Sequence, residues 1–321
     1  MNLLRLLKIS TTLAIFCLLF ACAPSGDPII NLDNSGLYSA ALAEDGSLAL
    51  ISSSQQITLW DVSTEQPKYQ WWQGERRDNV IAVALSNNSH FAATLSRNSV
   101  VLWNTGDGQA LGWWEIIGQA QSVSVANDGQ LLIGLTDASV LYLAPDHQRL
   151  LKFMGHQEKV NSVALSSDGR IALTGGNGAE AILWRTSDAK ILQRWPMDSR
   201  ILQTALSADG RLAFVSDSSG HGVIWDITKQ QRISKLNIRR RQMNFTAARF
   251  IQQDTQLLTG TPDREWQLWQ VSNGEKLRSQ RVALPAKPQP PSAVVYAVSQ
   301  WRDNSIQAIS SSGLLERWNH P

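Results

Sequence analysis

The fold is predicted from one segment, residues 155–195, which reads GHQEKVNSVALSSDGRIALTGGNGAEAILWRTSDAKILQRW. Its alternating and apolar runs predict four short strands, which are Val160–Leu165, Ile171–Thr174, Ala181–Trp184 and Lys190–Trp195. Asp168-Gly169 lies between the first two runs and predicts a hairpin with a type I′ turn, whose two central residues both need positive φ. No helical stretch separates the runs, so the segment predicts one antiparallel sheet of four strands.

Two markers of this pattern recur in phase along the chain. An aromatic residue closes the third strand of each repeat at intervals of 39 to 49 residues, at Trp60, Trp103, Tyr142, Trp184, Trp225, Trp269 and Trp318. An Asp-Gly or related dipeptide precedes each aromatic residue by 14 to 16 positions. Four-stranded repeats of this period without helices are typical of propeller blades. The sequence therefore predicts an all-β, seven-bladed β-propeller over residues 28–321, in which these aromatic residues pack between blades.

The two ends of the predicted propeller complement each other. The seventh repeat stops after its third strand at Trp318, while Ile29–Leu32 precedes the first repeat as an isolated strand. Pairing the two would complete the seventh blade and remove exposed sheet edges. We therefore expect the N-terminal strand to close the ring.

The chain resembles the WD40 family through Gly155-His156, Ser167-Asp168-Gly169 and Leu183-Trp184, and also through Trp60-Asp61 and Trp225-Asp226. The resemblance implies a WD40-like propeller that binds other proteins. It also implies a structural hydrogen-bond network in the fourth repeat, formed by His156, Thr174 and Trp184. Gly178 stands where that network has an Asp, and the other repeats lack the Gly-His pair.

Composition narrows the class of protein. The chain has 321 residues, 43% of them hydrophobic, with 29 Lys+Arg against 27 Asp+Glu. This content suffices for a large core and excludes a disordered chain, and two cysteines are too few for a disulfide scaffold. A balanced charge also argues against a nucleic-acid partner, which needs a strong positive field.

The first residues predict a targeting segment. Arg5 and Lys8 precede the apolar run Ile9–Ala21, which is too short to span a bilayer comfortably. The end of the run, Leu19-Phe20-Ala21-Cys22, resembles the lipobox of bacterial lipoproteins, which implies cleavage of residues 1–21 and acylation of Cys22. Residues 22–27 would then be a short tether, and Ala23 implies the outer membrane, facing the periplasm. An ordinary secretory signal with an incidental cysteine is the alternative.

Two groups of residues are candidates for contact with a partner. Trp72 and Trp113 neighbour packed tryptophans, so alternation along the strand should turn them to the opposite face, where they form a contact patch or are covered by the next blade. Connections between blades carry six arginines that form a contact for acidic groups or a solvated charge run, and these are Arg76, Arg77, Arg200, Arg239, Arg240 and Arg241.

No motif for a nucleophile, a phosphate-binding loop or a zinc hydrolase occurs in the sequence, and the histidines are scattered. We therefore expect no catalytic residue, no metal site and no cofactor. The favoured function is a non-catalytic protein-interaction scaffold, anchored to the membrane of the bacterial cell envelope through Cys22, with envelope proteins as partners. The alternative is a periplasmic enzyme or small-ligand binder that uses the central channel.

Overall fold

The computed structural model describes residues 29–74, 79–239, 243–284 and 293–319. These residues form seven antiparallel four-stranded sheets, the blades of a β-propeller. In blades one to six the strands follow each other in sequence order, with the first strand beside the central channel and the fourth at the outer edge. The prediction of an all-β, seven-bladed propeller is confirmed.

The strands of the first three blades are short. Blade one contains β2 (Leu37–Leu42), β3 (Leu48–Ser53), β4 (Ile57–Asp61) and β5 (Gln66–Trp71). Blade two contains β6 (Ala82–Leu85), β7 (Phe91–Leu95), β8 (Ser99–Asn104) and β9 (Ala110–Glu115). Blade three contains β10 (Ala120–Val125), β11 (Leu131–Leu135), β12 (Val140–Ala144) and β13 (Arg149–Phe153), with a 3-10 turn at Pro145–His147.

The remaining blades follow the same plan. Blade four contains β14 (Val160–Leu165), β15 (Ile171–Gly176), β16 (Glu180–Arg185) and β17 (Ile191–Pro196). Blade five contains β18 (Ile201–Leu206), β19 (Leu212–Asp217), β20 (Gly222–Asp226) and β21 (Gln231–Lys235). Blade six contains β22 (Ala247–Ile251), β23 (Gln256–Gly260), β24 (Glu265–Gln270) and β25 (Lys276–Arg281). Blade seven contains β26 (Val295–Gln300), β27 (Ile306–Ser310) and β28 (Leu314–Trp318).

The N-terminal strand closes the ring, as predicted. β1 (Ile29–Asn31) pairs antiparallel with β28 and becomes the outer strand of blade seven. Ile30 lies opposite Leu315, and both side chains are buried. The first described segment of the chain thus joins the last blade, so the two ends of the domain lie in one sheet.

The hairpin turn of blade four differs in type from the prediction. In the blade-four hairpin the Gly169 amide donates to the Ser166 carbonyl, and within this turn only Gly169 has positive φ, at 70°. The turn is therefore of type I, with glycine at its last position, rather than type I′. Asp168 stabilises the turn by another means, because its Oδ1 accepts hydrogen bonds from the Ser166 hydroxyl at 2.7 Å and from the Arg170 amide at 3.0 Å. The carboxylate thereby fixes the turn through its hydrogen bonds.

Aromatic residues pack between blades. In three pairs, an aromatic ring near the end of the outer strand of one blade stacks on the third-strand tryptophan of the next blade. The distances between ring centroids are 4.6 Å for Trp71–Trp103, 4.3 Å for Phe153–Trp184 and 5.0 Å for Trp195–Trp225. Of the seven marker aromatics, five are buried and two, Trp60 and Trp225, are half-buried. Large flat rings fill the wedge between twisted sheets efficiently, which explains their recurrence.

No helix in the described ranges is long and apolar enough to cross a membrane. The predicted signal segment, Cys22 and the tether lie outside the described residues.

Candidate interaction face

Antiparallel order places two kinds of connection at the same end of the propeller. We call this end the upper face; it comprises the connections between blades and the turns between the second and third strands. Backbone hydrogen bonds join the two kinds of connection. In blade four, the Asn177 amide donates to the Lys159 carbonyl at 2.9 Å, and the Met197 amide donates to the Ala179 carbonyl at 2.8 Å. The upper face is therefore a continuous hydrogen-bonded surface rather than a set of separate loops.

β-Bulges shape the mouth of the channel on this face. In five blades the inner strand slips register one residue from its upper end, and the bulged residues are Tyr38, Gln121, Asn161, Leu202 and Tyr296. A bulge redirects a side chain out of the regular sheet pattern. All five are partly or largely exposed, with Tyr38 at 45%. Burial raises the pKa of Tyr296 above its ordinary value, so this phenol is neutral at pH 7.

The predicted basic residues are only partly described. Arg200 and Arg239 are exposed on the upper face, and neither forms an ion pair with another described residue. Arg76, Arg77, Arg240 and Arg241 lie outside the described residues. The upper face therefore presents at least two arginines whose guanidinium groups are available to an acidic partner.

Trp72 and Trp113 are both exposed, as the alternation predicts. Trp72 is 53% exposed at the end of β5, beside Ser54 and Gln55 of the neighbouring turn on the upper face. Trp113 is 47% exposed within the outer strand β9, on the side of the strand opposite to half-buried Trp114. No ring contact joins Trp72 to Trp113 in the part of the chain that the structure describes. Only Trp72 belongs to the upper face, so the two form separate apolar spots.

The opposite, lower face satisfies many of its own polar groups. Turns between the first and second strands of successive blades bond one another around the channel. The Asn127 amide donates to the Ser167 carbonyl at 2.8 Å, and the Ser167 amide donates to the Ala208 carbonyl at 3.3 Å. Asn87 of blade two donates its side-chain amide to the Ser167 hydroxyl of blade four at 2.6 Å. These bonds narrow the lower mouth of the channel.

The central channel contains a cavity of about 170 Å³ lined mainly by small and apolar side chains. Arg249 of β22 projects among them, and its Nη2 donates to the Leu42 carbonyl at 2.7 Å while Nη1 has no partner. Burial lowers the pKa of Arg249 from its ordinary value, with Glu44 and Asp45 acting in the opposite direction. Among the described lining residues Glu44 is the one carboxylate and no imidazole is present. The channel thus presents no pair of groups suited to acid–base chemistry.

The hydrogen-bond network expected in blade four is present. The His156 Nε2 lies 2.8 Å from the Thr174 hydroxyl, and the Trp184 indole N–H donates to the same oxygen at 3.3 Å. Burial, with repulsion from Arg194 second, lowers the pKa of His156 to about 4, so the ring is neutral at pH 7. The network fixes the connection between blades three and four against the body of blade four.

Blade two contains a second network that sequence reasoning missed. The Thr94 hydroxyl donates to Gln73 Oε1 at 2.6 Å, and the Trp103 indole N–H donates to Thr94 at 2.9 Å. Gln73 also donates to Ser99 at 2.9 Å. The Gln73 side-chain amide has here the hydrogen-bonding role that the His156 imidazole has in blade four. The sequence signal for such a network is a threonine nine or ten residues before the marker tryptophan. Thr94 precedes Trp103 by nine residues, and Thr174 precedes Trp184 by ten.

The structure brings together three side chains from two separate connections of the chain. His221 Nδ1 lies 2.9 Å from an oxygen of Asp198 and 3.4 Å from Oδ2 of Asp217 on the upper face. His221 thus lies beside two carboxylates although the histidines are scattered along the sequence, and the expectation of no metal site stays a prediction. Asp217 and His221 flank one tight turn, whereas Asp198 comes from the preceding connection between blades, so spacing in the sequence concealed the cluster.

Comparison with known proteins agrees with this geometry. Residues 147–185, which include most of blade four, match the family model described as WD domain, G-beta repeat. Part of the chain is similar to NACHT domain- and WD repeat-containing protein 1 of Mus musculus, with 25% identity over 156 residues. This alignment covers 46% of the chain and 10% of the mouse protein. The fold is a seven-bladed β-propeller, and the two matches support a WD40 β-propeller family.

Proposed function

We propose that this protein is a non-catalytic scaffold for protein–protein interaction, anchored to a membrane of the bacterial cell envelope. WD40 propellers generally bind other proteins, and the proposal makes the upper face the binding surface. The observation that carries it is the set of exposed side chains on the upper face. Arg200, Arg239 and Trp72 are exposed there, and the two arginines have no ion-pair partner among the described residues.

The chemistry of the upper face defines the expected partner. Arginine, tyrosine and tryptophan are the residues most enriched in the energetically important parts of protein interfaces. Tyr38 and Tyr296 border the channel mouth, and Arg200 and Arg239 lie further along the same face. We infer a partner that offers carboxylates to the arginines and an apolar side chain to the aromatic residues.

The membrane anchor is a separate part of the proposal. Ile29, where β1 begins, follows Cys22 by seven positions, so an extended chain between the two spans at most about 25 Å. An acyl chain on Cys22 would hold the outer edge of blade seven near the bilayer. Metabolic labelling with radioactive palmitate tests this, comparing the wild type with Cys22→Ser. Labelled wild type and unlabelled variant support the anchor, and an unlabelled, soluble wild type supports an ordinary secretory signal.

Charge reversal tests the binding face. The double variant Arg200→Glu, Arg239→Glu changes exposed side chains and should leave the fold intact. The matched control is Arg170→Glu, Lys229→Glu, which makes the same charge change at exposed positions in lower-face turns. In-cell crosslinking followed by affinity capture should recover an envelope protein with the wild type and the control but not with the upper-face variant. Equal recovery by both variants would contradict the proposed face.

A further inference from the structure

The cluster of Asp198, Asp217 and His221 has the composition of a metal site. One imidazole nitrogen and two carboxylate oxygens lie within 4.8 Å of one another. Nitrogen and oxygen donors of this kind bind divalent transition metals, and zinc sites with three protein ligands leave one position for water. The cluster therefore offers the donor atoms for such an ion.

Asp217 supplies the observation that points to a ligand. Its side chain is fully buried, and its Oδ1 accepts two backbone N–H groups, from Ser219 and His221, each at 3.0 Å. Its Oδ2 is also buried but has no hydrogen-bond partner, and it points toward His221 Nδ1. An ionised oxygen without a hydrogen bond is costly to bury unless a cation compensates it. The carboxylate is thus fixed in place with one oxygen left for a positive partner.

The surroundings hold the three side chains in register. The connection that carries Asp198 is joined to the turn that carries His221, since the Ser218 amide donates to the Arg200 carbonyl at 3.0 Å and the Ser199 and Ser218 hydroxyls lie 2.6 Å apart. The connection between blades four and five and the turn between β19 and β20 therefore meet in a fixed arrangement. Such support is what a preorganised metal site needs.

Two of the three distances between the ligand atoms fit a small tetrahedral ion. Bonds of about 2.0–2.1 Å to nitrogen and oxygen place neighbouring ligand atoms of tetrahedral zinc about 3.3 Å apart. The two separations measured from His221 Nδ1, 2.9 Å and 3.4 Å, lie on either side of this value. Asp198 is 73% exposed, so the fourth position opens toward solvent on the upper face.

We propose that Asp198, Asp217 and His221 bind one Zn²⁺ ion through His221 Nδ1 and one oxygen of each carboxylate, with water as the fourth ligand. The ion neutralises the buried Asp217 carboxylate and links the connection after blade four to blade five. This inference is independent of the proposed scaffold function, because it concerns a metal site within this chain and requires no partner.

Titration with zinc tests the site. Full-length protein purified in detergent and freed of metal with a chelator is titrated with Zn²⁺ by calorimetry, and Co²⁺ is used as a visible-absorbing substitute. Asp217→Asn keeps an acceptor for both backbone N–H groups, Asp198→Asn alters an exposed side chain, and His221→Gln removes the imidazole. His90→Gln is the matched control, because His90 is exposed on a lower-face turn.

We expect one zinc ion per wild-type chain, unchanged binding in His90→Gln, and at least about tenfold weaker binding in each of the three cluster variants. Bound Co²⁺ should give the absorption of a tetrahedral site that these variants lose. Two results would overturn the proposal. One is the absence of saturable zinc binding to folded wild type, which leaves the three side chains in contact without a metal. The other is undiminished binding in Asp217→Asn and His221→Gln.

Discussion

The buried imidazole of His156 makes the propeller sensitive to mild acid. The pKa of this ring is about 4 in the folded protein, whereas an exposed histidine has a pKa near 6.5. Between these values the unfolded chain takes up a proton that the folded chain does not, so stability falls as the pH falls. Linkage gives a loss of about 2 kcal/mol between pH 7 and pH 5, and about 3 kcal/mol once the pH is below 4.

The replacement His156→Gln isolates this effect. Gln73 makes the equivalent hydrogen bond to Thr94 in blade two, so a glutamine is compatible with such a network and carries no titrating group. We expect the variant to fold and to lose most of the pH response between pH 7 and pH 5. Carboxylates such as Asp188, whose pKa is lowered to about 2 by the Arg185 guanidinium, remain ionised in this range.

The assay is urea unfolding followed by tryptophan fluorescence at both pH values, for the wild type and for His156→Gln. Subtracting the response of the variant from that of the wild type removes the contribution of the other titrating groups. A difference near 2 kcal/mol agrees with the buried neutral ring. An equal pH response in the two proteins would refute the assignment of the pH sensitivity to His156.

Three further substitutions are tested by the same unfolding measurement. A Cβ on Gly176 would lie 2.0 Å from the Lys159 carbonyl oxygen, so Gly176→Ala should cost about 3 kcal/mol or more, whereas Gly178→Ala meets no atom within 4 Å and should stay within about 0.5 kcal/mol of wild type. Trp103→Phe removes the 2.9 Å hydrogen bond to Thr94 and should cost about 1–3 kcal/mol, and an unchanged midpoint would show that the blade-two network does not stabilise the fold.

The fold could be predicted because each repeat carries two independent local signals. The Asp-Gly dipeptides mark hairpins, which form within one blade, and the aromatic residues mark third strands, where large rings fill the space between blades. The turn type could not be predicted from Asp168-Gly169 alone. Asp168 accepts hydrogen bonds from Ser166 and Arg170, and this role does not require positive φ at the aspartate.

The candidate sites were harder to predict because they depend on contacts between blades. Asp198 and His221 come from different connections, and the backbone hydrogen bond between Ser218 and Arg200 that aligns those connections has no marker in the sequence. Gln73 was missed for a related reason. The network requires only a side chain that accepts a hydrogen bond from the Thr94 hydroxyl. The same hydrogen bond can therefore form with different residue types.

The proposed binding face can be tested most directly by placing a photo-crosslinking amino acid at single positions on both faces of the propeller in living cells. The upper-face positions are Tyr38 and Arg200, and the lower-face positions are Asn88 and Asp209. We expect one discrete crosslinked protein from the upper positions and none from the lower ones. Crosslinks confined to the lower positions, or the same products from all four, would contradict a partner bound at the upper face.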